Sequence, residues 1–200
     1  ELSTGKRVMS PSDDPVGTVS ALRFRSQQAQ IDQYGENITD GLARLTTADN
    51  ALTSTMNMVQ RIRTIAVAAA NGTNGPDQRA AYAKEIRELR QGVIQQANTQ
   101  YADQPVFGGT TPGDKAFDPA TGVFAGNNGS VVRQVTDAPG LAGQVNVAVN
   151  GVDAFGTTLE DGGTLDALAK AIETGDQAGM GAGIAAMDDM RKGMLDVAST

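Results

Sequence analysis

The sequence contains no cysteine, no histidine and no tryptophan, and aromatic residues make up only 4% of its 200 residues. The absence of cysteine excludes disulfides and thiol nucleophiles, and the absence of histidine excludes imidazole general bases. Together these absences exclude zinc sites built from cysteine and histidine. With so few aromatics, the core must be built mainly from Ala, Leu, Ile, Val and Met, a composition that favours helix-on-helix packing.

Positive charge and long apolar runs are also scarce. The chain carries 23 acidic against 16 basic residues, a formal net charge of −7. This balance opposes contact with phosphates, so we expect no nucleic-acid partner. No run approaches the roughly 18 apolar residues of a membrane helix, so we expect no membrane contact either. Because the first residue is Glu1 and apolar periodicity continues to Thr200 without a capping signal, we expect an internal fragment of a longer protein.

The longest regular pattern places an apolar residue at every seventh position from Ile31 to Ala66. A second row of smaller residues lies three positions further on, and the alternating spacing of three and four is typical of a coiled-coil-like seam. No proline falls between Pro15 and Pro76. The pattern predicts a helix of about 55 residues, which would form a rod of roughly 80 Å. Asp14 is predicted to cap its start.

Further helices are predicted on both sides of a glycine-rich central region. A turn at residues 71–76 should lead into an antiparallel helix from about Asp77 to Thr99. Apolar periodicity returns at Leu165, and a methionine-rich stripe follows a helix start at Asp176. On the first helix, the row from Ile31 to Ala66 is expected to be covered within the chain by the second and last helices. The residues of the whole predicted helix-packing seam are Ile31, Ile38, Leu45, Leu52, Val59, Ile62, Ala66, Tyr82, Ile86, Leu89, Val93, Ile184, Met187 and Met194.

The glycine-rich region contains short alternating apolar runs. Residues 131–135 and 145–149 are the clearest predicted strands, and 106–107 and 123–124 are weaker ones. The predicted fold is therefore α+β and mainly α, a long antiparallel helical rod with a small inserted β subdomain. We predict three regions: 1–104 and 164–200 form the helical rod, and 105–163 form the β subdomain.

No constellation in the sequence predicts catalysis. The adjacent acidic pairs at 13–14, 160–161 and 188–189 lack a third ligand or a partner base, and neighbouring helical positions do not face each other. The glycine clusters match neither a dinucleotide fingerprint nor a phosphate-binding loop. We therefore expect no catalytic, cofactor-binding or metal-binding residues, and no enzyme.

Several segments carry a family resemblance. Residues 2–8 and 10–15 resemble the amino-terminal region of the bacterial flagellin superfamily, and residues 59–73 resemble the end of its long helix. Residues 107–110, Phe-Gly-Gly-Thr, resemble the same superfamily. Residues 149–156 resemble the members at the junction between hook and filament more than the filament subunits.

The resemblance implies a non-enzymatic structural protein of the junction zone between hook and filament. Such a protein is extracellular, exported by the flagellar type III apparatus, and assembles in a ring or helix. The implied partners are further copies of itself, the hook-side junction protein, flagellin, and an export chaperone bound through carboxy-terminal residues. The fragment itself is expected to be monomeric in solution. There are three alternatives. The first is flagellin, which is the filament subunit; the second is a generic cytoplasmic coiled-coil adaptor; the third is an enzyme.

Overall fold

A computed structural model describes residues 15–199, apart from the side chains of Pro15 and Leu141. The predicted lead-in loop and the predicted cap Asp14 lie outside the described residues. The helices are α1 (Pro15–Ala69), α2 (Pro76–Ala97), α3 (Gly151–Phe155), α4 (Thr164–Thr174) and α5 (Gln177–Ala198). Within this range, no helix combines the length and the apolar character needed to cross a membrane.

The turn between α1 and α2 lies at the predicted residues, and Asn74 and Pro76 form its two ends. The side-chain amide of Asn74 donates to the carbonyl oxygens of Ala68 at 2.7 Å and Ala69 at 3.2 Å. These carbonyls belong to the last turn of α1 and have no partner in the helix, so the amide caps it. Pro76 then opens α2 at a position where its missing N–H costs nothing.

The strands are shorter than predicted. They are β1 (Gln100–Tyr101), β2 (Gln104–Pro105), β3 (Val132–Gln134) and β4 (Gln144–Asn146), and they form two two-stranded sheets, β1 with β2 and β3 with β4. The predicted strand at 145–149 ends at Asn146; the N–H of Val147 still donates to the carbonyl oxygen of Val131 at 2.7 Å, but the N–H of Ala148 turns back to Oδ1 of Asn146 at 3.0 Å. Residues 106–107 are a buried turn instead of a strand, and the 123–124 strand is reduced to one bridge between Phe124 and Phe117.

The hairpin of β1 and β2 was not predicted. Its two turn residues, Ala102 and Asp103, have φ values of 49° and 60°. Two consecutive positive φ angles match the right-handed twist of a two-residue hairpin, but they are usually supplied by Asn and Gly. Helix α3 was also not predicted. The side chain of Asn150 caps it by accepting from the N–H of Val152 at 3.0 Å.

The chain divides into two compact units. The smaller unit contains residues 15–41 and Arg133–Val145, and the larger contains Leu42–Val132 and residues 146–199. Helix α1 begins in the smaller unit and ends in the larger. The division into regions 1–104, 105–163 and 164–200 stays a prediction.

In the larger unit, α2 lies antiparallel to α1. Arg61 pairs with Glu85 at 2.6 Å, and a Cβ added at Gly92 would lie 2.9 Å from Sδ of Met58. At these contacts the residue numbers decrease along α1 as they increase along α2, which is the arrangement of antiparallel helices. Helix α5 also packs on α1, where Arg63 pairs with Asp188 at 3.0 Å.

An aromatic cluster lies among the loops of the larger unit. The ring centroids of Phe107 and Phe155 are 5.1 Å apart, and those of Phe117 and Phe155 are 5.4 Å apart, both edge-to-face. Phe124 packs on Phe117 at 5.1 Å. Four of the five phenylalanines are thus placed in one cluster, continuous with the helical core.

Candidate interaction surface

The structure separates the predicted seam into a covered part and an uncovered part. The buried side chains belong to one hydrophobic cluster in the larger unit and are Leu52, Val59, Ile62, Ala66, Ile86, Val93, Met187 and Met194. Tyr82, Leu89 and Ile184 are half-buried against that cluster, and Leu45 is half-buried as well. Ile31 and Ile38 lie apart from it, in the smaller unit.

These two residues correct the expectation that the whole seam is covered within the chain. Ile31 is 66% exposed and Ile38 is 44% exposed. They are exposed because, in the described part of the smaller unit, only the short segment 133–145 lies beside α1. A segment of this length covers part of one helix face and leaves the rest to solvent.

The segment 133–145 is fastened to α1 by polar contacts. Nε of Arg133 donates to Oδ2 of Asp40 at 2.6 Å, and the amide of Asn37 donates to the carbonyl oxygen of Gln134 at 2.8 Å. The segment closes on itself where the N–H of Val135 donates to the carbonyl oxygen of Gly143 at 2.8 Å. The contacts hold the segment in one position beside the helix.

An open groove of about 670 Å³ lies between this segment and α1. Its wall on α1 includes Ile31, Tyr34, Gly35 and Ile38, and Val135 lines the other side. Because Gly35 has no side chain and a Cβ added there would meet nothing within 4 Å, the groove stays open at that point. The two exposed isoleucines thus border a depression.

Phe24 extends this apolar surface toward the start of α1. It is 70% exposed and lies seven residues before Ile31, which is seven residues before Ile38. A seven-residue step turns an α-helix by nearly two full turns, so the three side chains occupy one face. We call Phe24, Ile31 and Ile38 the exposed row. The predicted seam starts at Ile31, although the same spacing of seven extends to Phe24.

The larger unit has an open groove of a different kind, between α4 and α5. It has a volume of about 680 Å³ and is lined largely by small residues, including Ala167, Gly179 and Gly183. Its charged residues are Lys170 and Asp176, and Asp176 caps α5 by accepting from the N–H of Ala178 at 3.1 Å. This groove therefore brings together no set of titratable groups for acid–base chemistry.

Two acidic side chains from the adjacent pairs at 160–161 and 188–189 take part in separate ion pairs. Asp161 accepts from Arg90 at 2.7 Å, and Asp188 accepts from Arg63 at 3.0 Å. Among the described residues, no three acidic side chains converge as a metal ion would require. Asp118 is exposed, and donation from the backbone N–H and hydroxyl of Thr121 lowers the pKa of its carboxyl group.

Comparison with known proteins gives one family match. Residues 1–111 match the bacterial flagellin N-terminal helical region. The chain is 33% identical over 139 residues to flagellar hook-associated protein 3 of Salmonella typhimurium, covering 69% of this chain and 44% of that protein. It is 30% identical over 132 residues to polar flagellin F of Vibrio parahaemolyticus, covering 66% of this chain and 34% of the flagellin. The chain thus spans less than half of either relative.

The fold is also found in a solved structure. The crystal structure of FlgL from Bacillus cereus superimposes with a TM-score of 0.75, covering 91% of this chain and 87% of that chain. The two sequences are 20% identical, so this likeness concerns the fold alone. The predicted fold, α+β and mainly α with a long helix, is confirmed, and its strands form two small pairs.

Proposed function

Because this chain belongs to the bacterial flagellin family, we propose that it is a structural subunit of the junction between the flagellar hook and filament. The similarity to hook-associated protein 3 supports the junction over other positions in the flagellum. Relatives among flagellins and hook-associated proteins are components of the flagellum, which is exported and extracellular. The chain therefore acts outside the cell, as part of an assembly with other flagellar components.

The observation that carries the proposal is the exposed row on α1. Phe24, Ile31 and Ile38 expose between 44% and 70% of their surface along one helix face. Aligned apolar side chains that remain in water mark an interaction site, because burying them against a partner is favourable. The spacing of seven suits a partner helix, whose side chains can pack between those of the row.

The proposed partners are further copies of the chain, the hook-side junction protein and flagellin, with an export chaperone before assembly. The exposed row supplies a contact for one of the assembled partners. This structural role requires no catalysed reaction. The grooves lack convergent catalytic groups and the sequence lacks histidine and cysteine, which supports a non-enzymatic role.

Immunogold electron microscopy of intact flagella tests the proposal. Antibody raised against this chain is applied to flagella from the source bacterium, with a strain lacking the gene as the control for cross-reaction. We expect label confined to a short zone between hook and filament. Label along the whole filament would instead identify the filament subunit, which the similarity to polar flagellin F makes the second candidate. Label inside the cell alone would contradict a flagellar role.

A further inference from the structure

The sequence contains four Asn-Gly dipeptides, at residues 71–72, 74–75, 128–129 and 150–151. Asparagine followed by glycine is the sequence most prone to spontaneous deamidation, because glycine leaves its backbone nitrogen unhindered. That nitrogen must attack Cγ of the asparagine, and the side-chain amide must leave. The reaction therefore requires a glycine N–H that is not held by a hydrogen bond and an amide free to depart.

In three of the four dipeptides, a hydrogen bond holds either the attacking N–H of the glycine or the leaving amide of the asparagine. The leaving amide of Asn74 donates to three carbonyl oxygens, of Ala68, Ala69 and Asn71, at 2.7, 3.2 and 2.9 Å. At residues 128–129 the glycine is constrained instead, since the N–H of Gly129 donates to Oδ1 of Asn127 at 2.9 Å.

The dipeptide at 150–151 lies at the cap of α3, and its attacking N–H is held. Oδ1 of Asn150 accepts from the N–H of Val152 at 3.0 Å, which fixes the side chain as the cap of α3. The N–H of Gly151 donates to the carbonyl oxygen of Phe107 at 3.2 Å, and Gly151 is buried. Attack at this position would require α3 to unfold locally.

Residues 71–72 differ from the other three. Both are exposed, and a Cβ added at Gly72 would meet nothing within 4 Å. Within the described chain the N–H of Gly72 donates to no acceptor and the amide nitrogen of Asn71 makes no hydrogen bond. The attacking N–H and the leaving amide nitrogen are therefore both free of hydrogen bonds, although the carbonyl oxygen of Asn71 accepts from the amide of Asn74 at 2.9 Å.

A neighbouring hydroxyl favours the same reaction. Oγ1 of Thr73 donates to Oδ1 of Asn71 at 3.3 Å. When the nitrogen of Gly72 attacks Cγ, negative charge develops on this oxygen, and a donor already directed at it stabilises the tetrahedral intermediate. Thr73 therefore acts as a positioning residue.

From these contacts we propose that Asn71 is the principal site of spontaneous deamidation in the folded protein. The bond from the nitrogen of Gly72 to Cγ of Asn71 forms as the bond from Cγ to the amide nitrogen breaks. Ammonia leaves, carrying the proton lost by Gly72, and a cyclic imide remains. Water then opens either carbonyl of the imide and gives aspartate or isoaspartate, with no oxidation or reduction.

The product adds a negative charge just beyond the carboxyl end of α1. Helix carboxyl ends already carry partial negative charge, so the new carboxylate is unfavourable there. Deamidation should therefore loosen the turn that joins α1 to α2 while leaving the buried core intact.

Peptide mapping by tandem mass spectrometry tests the proposal on the full chain incubated at mildly alkaline pH. Trypsin releases residues 64–79 as one peptide holding both Asn71 and Asn74, and fragment ions distinguish the two. We expect residue 71 to convert several-fold faster than residues 74, 128 and 150, with isoaspartate among the products. The same chain in concentrated denaturant is the control, and there the differences should shrink.

Two variants sharpen the test. Gly72→Ala should slow conversion at residue 71 many-fold and leave the other three sites unchanged, since the added methyl hinders the nucleophile. Thr73→Val should slow residue 71 by a smaller factor. Faster conversion at residue 128 than at 71, equal rates at all four folded sites, or aspartate without isoaspartate would each overturn the proposal.

Discussion

Arg90 shows how a single side chain joins a helix to the loops of the larger unit. The residue is only 6% exposed, and its Nε donates to the carbonyl oxygen of Leu159 at 3.0 Å. Its Nη2 donates to the carbonyl oxygen of Thr121 at 3.1 Å and to Oδ1 of Asp161 at 2.7 Å. Two nitrogens of the guanidinium thus reach two loop segments at once, whereas the donors of a lysine ammonium share a single nitrogen.

We expect Arg90→Lys to lower the free energy of unfolding by about 1–3 kcal/mol, because it leaves the buried carbonyl oxygen of Leu159 without its donor. The matched control is Arg87→Lys, on the same helix, where the exposed pair with Glu173 at 2.6 Å is worth less than about 1 kcal/mol. Urea unfolding of both variants measures the difference. Equal losses of unfolding free energy would show that the buried guanidinium of Arg90 stabilises the fold no more than the exposed one of Arg87.

Asp118 offers a test of local electrostatics. Its carboxylate accepts from the backbone N–H of Thr121 at 2.7 Å and from the hydroxyl of Thr121 at 2.9 Å, and this donation lowers its pKa. Because the folded pKa is below the unfolded one, the stabilisation is present above the unfolded pKa. It is lost as the pH falls through the folded pKa.

An NMR titration of Asp118 should therefore give a midpoint below 3.8, its ordinary value. Thr121→Val should raise this midpoint part of the way, because the hydroxyl is removed and the backbone donors remain. Thr110→Val, which removes a hydroxyl elsewhere in the loops, serves as the control and should leave it unchanged. A midpoint at or above the ordinary value in the unmodified chain would contradict the turn geometry.

At the scale of elements, one heptad pattern on α1 has two different outcomes. Leu52 is 2% exposed in the core of the larger unit, whereas Ile31 is 66% exposed in the smaller unit. The same periodicity thus identifies a packed face in one part of the helix and an exposed face in the other. Which part is covered depends on the elements beside it.

We expect Leu52→Ala to cost about 2–5 kcal/mol of unfolding free energy, through lost burial and the cavity left behind. Ile31→Ala, on the same row of the same helix, should change stability by no more than about 0.5 kcal/mol. Denaturant unfolding followed by far-UV circular dichroism measures both. A large loss from Ile31→Ala would show that its side chain is covered in solution.

The helices could be predicted from the sequence, and the loops largely could not. The end of α1 and the start of α2 follow from Asn74 and Pro76, whose chemistry is local. The hairpin was missed because Ala102 and Asp103 adopt positive φ without glycine. Helix α3 was missed because its five residues are too few to show a period.

The aromatic cluster shows a second limit of sequence reasoning. Phe107, Phe117 and Phe155 meet although no spacing connects them, since their contacts depend on how the loops fold over the core. For the exposed row, the pattern could be predicted but its exposure could not. Its periodicity is visible in the sequence, but the same spacing serves packing within a chain and packing between chains, so its exposure had to come from the structure.

At the scale of the whole molecule, the family match confirms the resemblance found in residues 2–15 and 59–73. A chain with net charge −7 repels its own copies at long range, so assembly needs specific short-range contacts. The exposed row is our proposed contact of this kind, because it concentrates apolar surface on a helix whose other residues between Phe24 and Ile38 are mainly polar.

A charge placed in the exposed row should therefore block assembly without unfolding the protein. We expect Ile31→Asp, introduced into the complete protein in the bacterium, to reduce the fraction of cells carrying filaments several-fold, since a carboxylate buried without a partner in a subunit contact is costly. Ala29→Asp is the matched control, because Ala29 is exposed near the opposite side of the same helix turn.

Electron microscopy counts the filaments, and circular dichroism of the purified variants checks that both remain folded. Filament loss in Ile31→Asp, with normal filaments in Ala29→Asp, would assign the exposed row to a subunit contact. Normal filaments in both variants would mean that assembly uses another surface. Equal loss in both would mean that added charge anywhere on this stretch of α1 interferes, and the row would lose its special role.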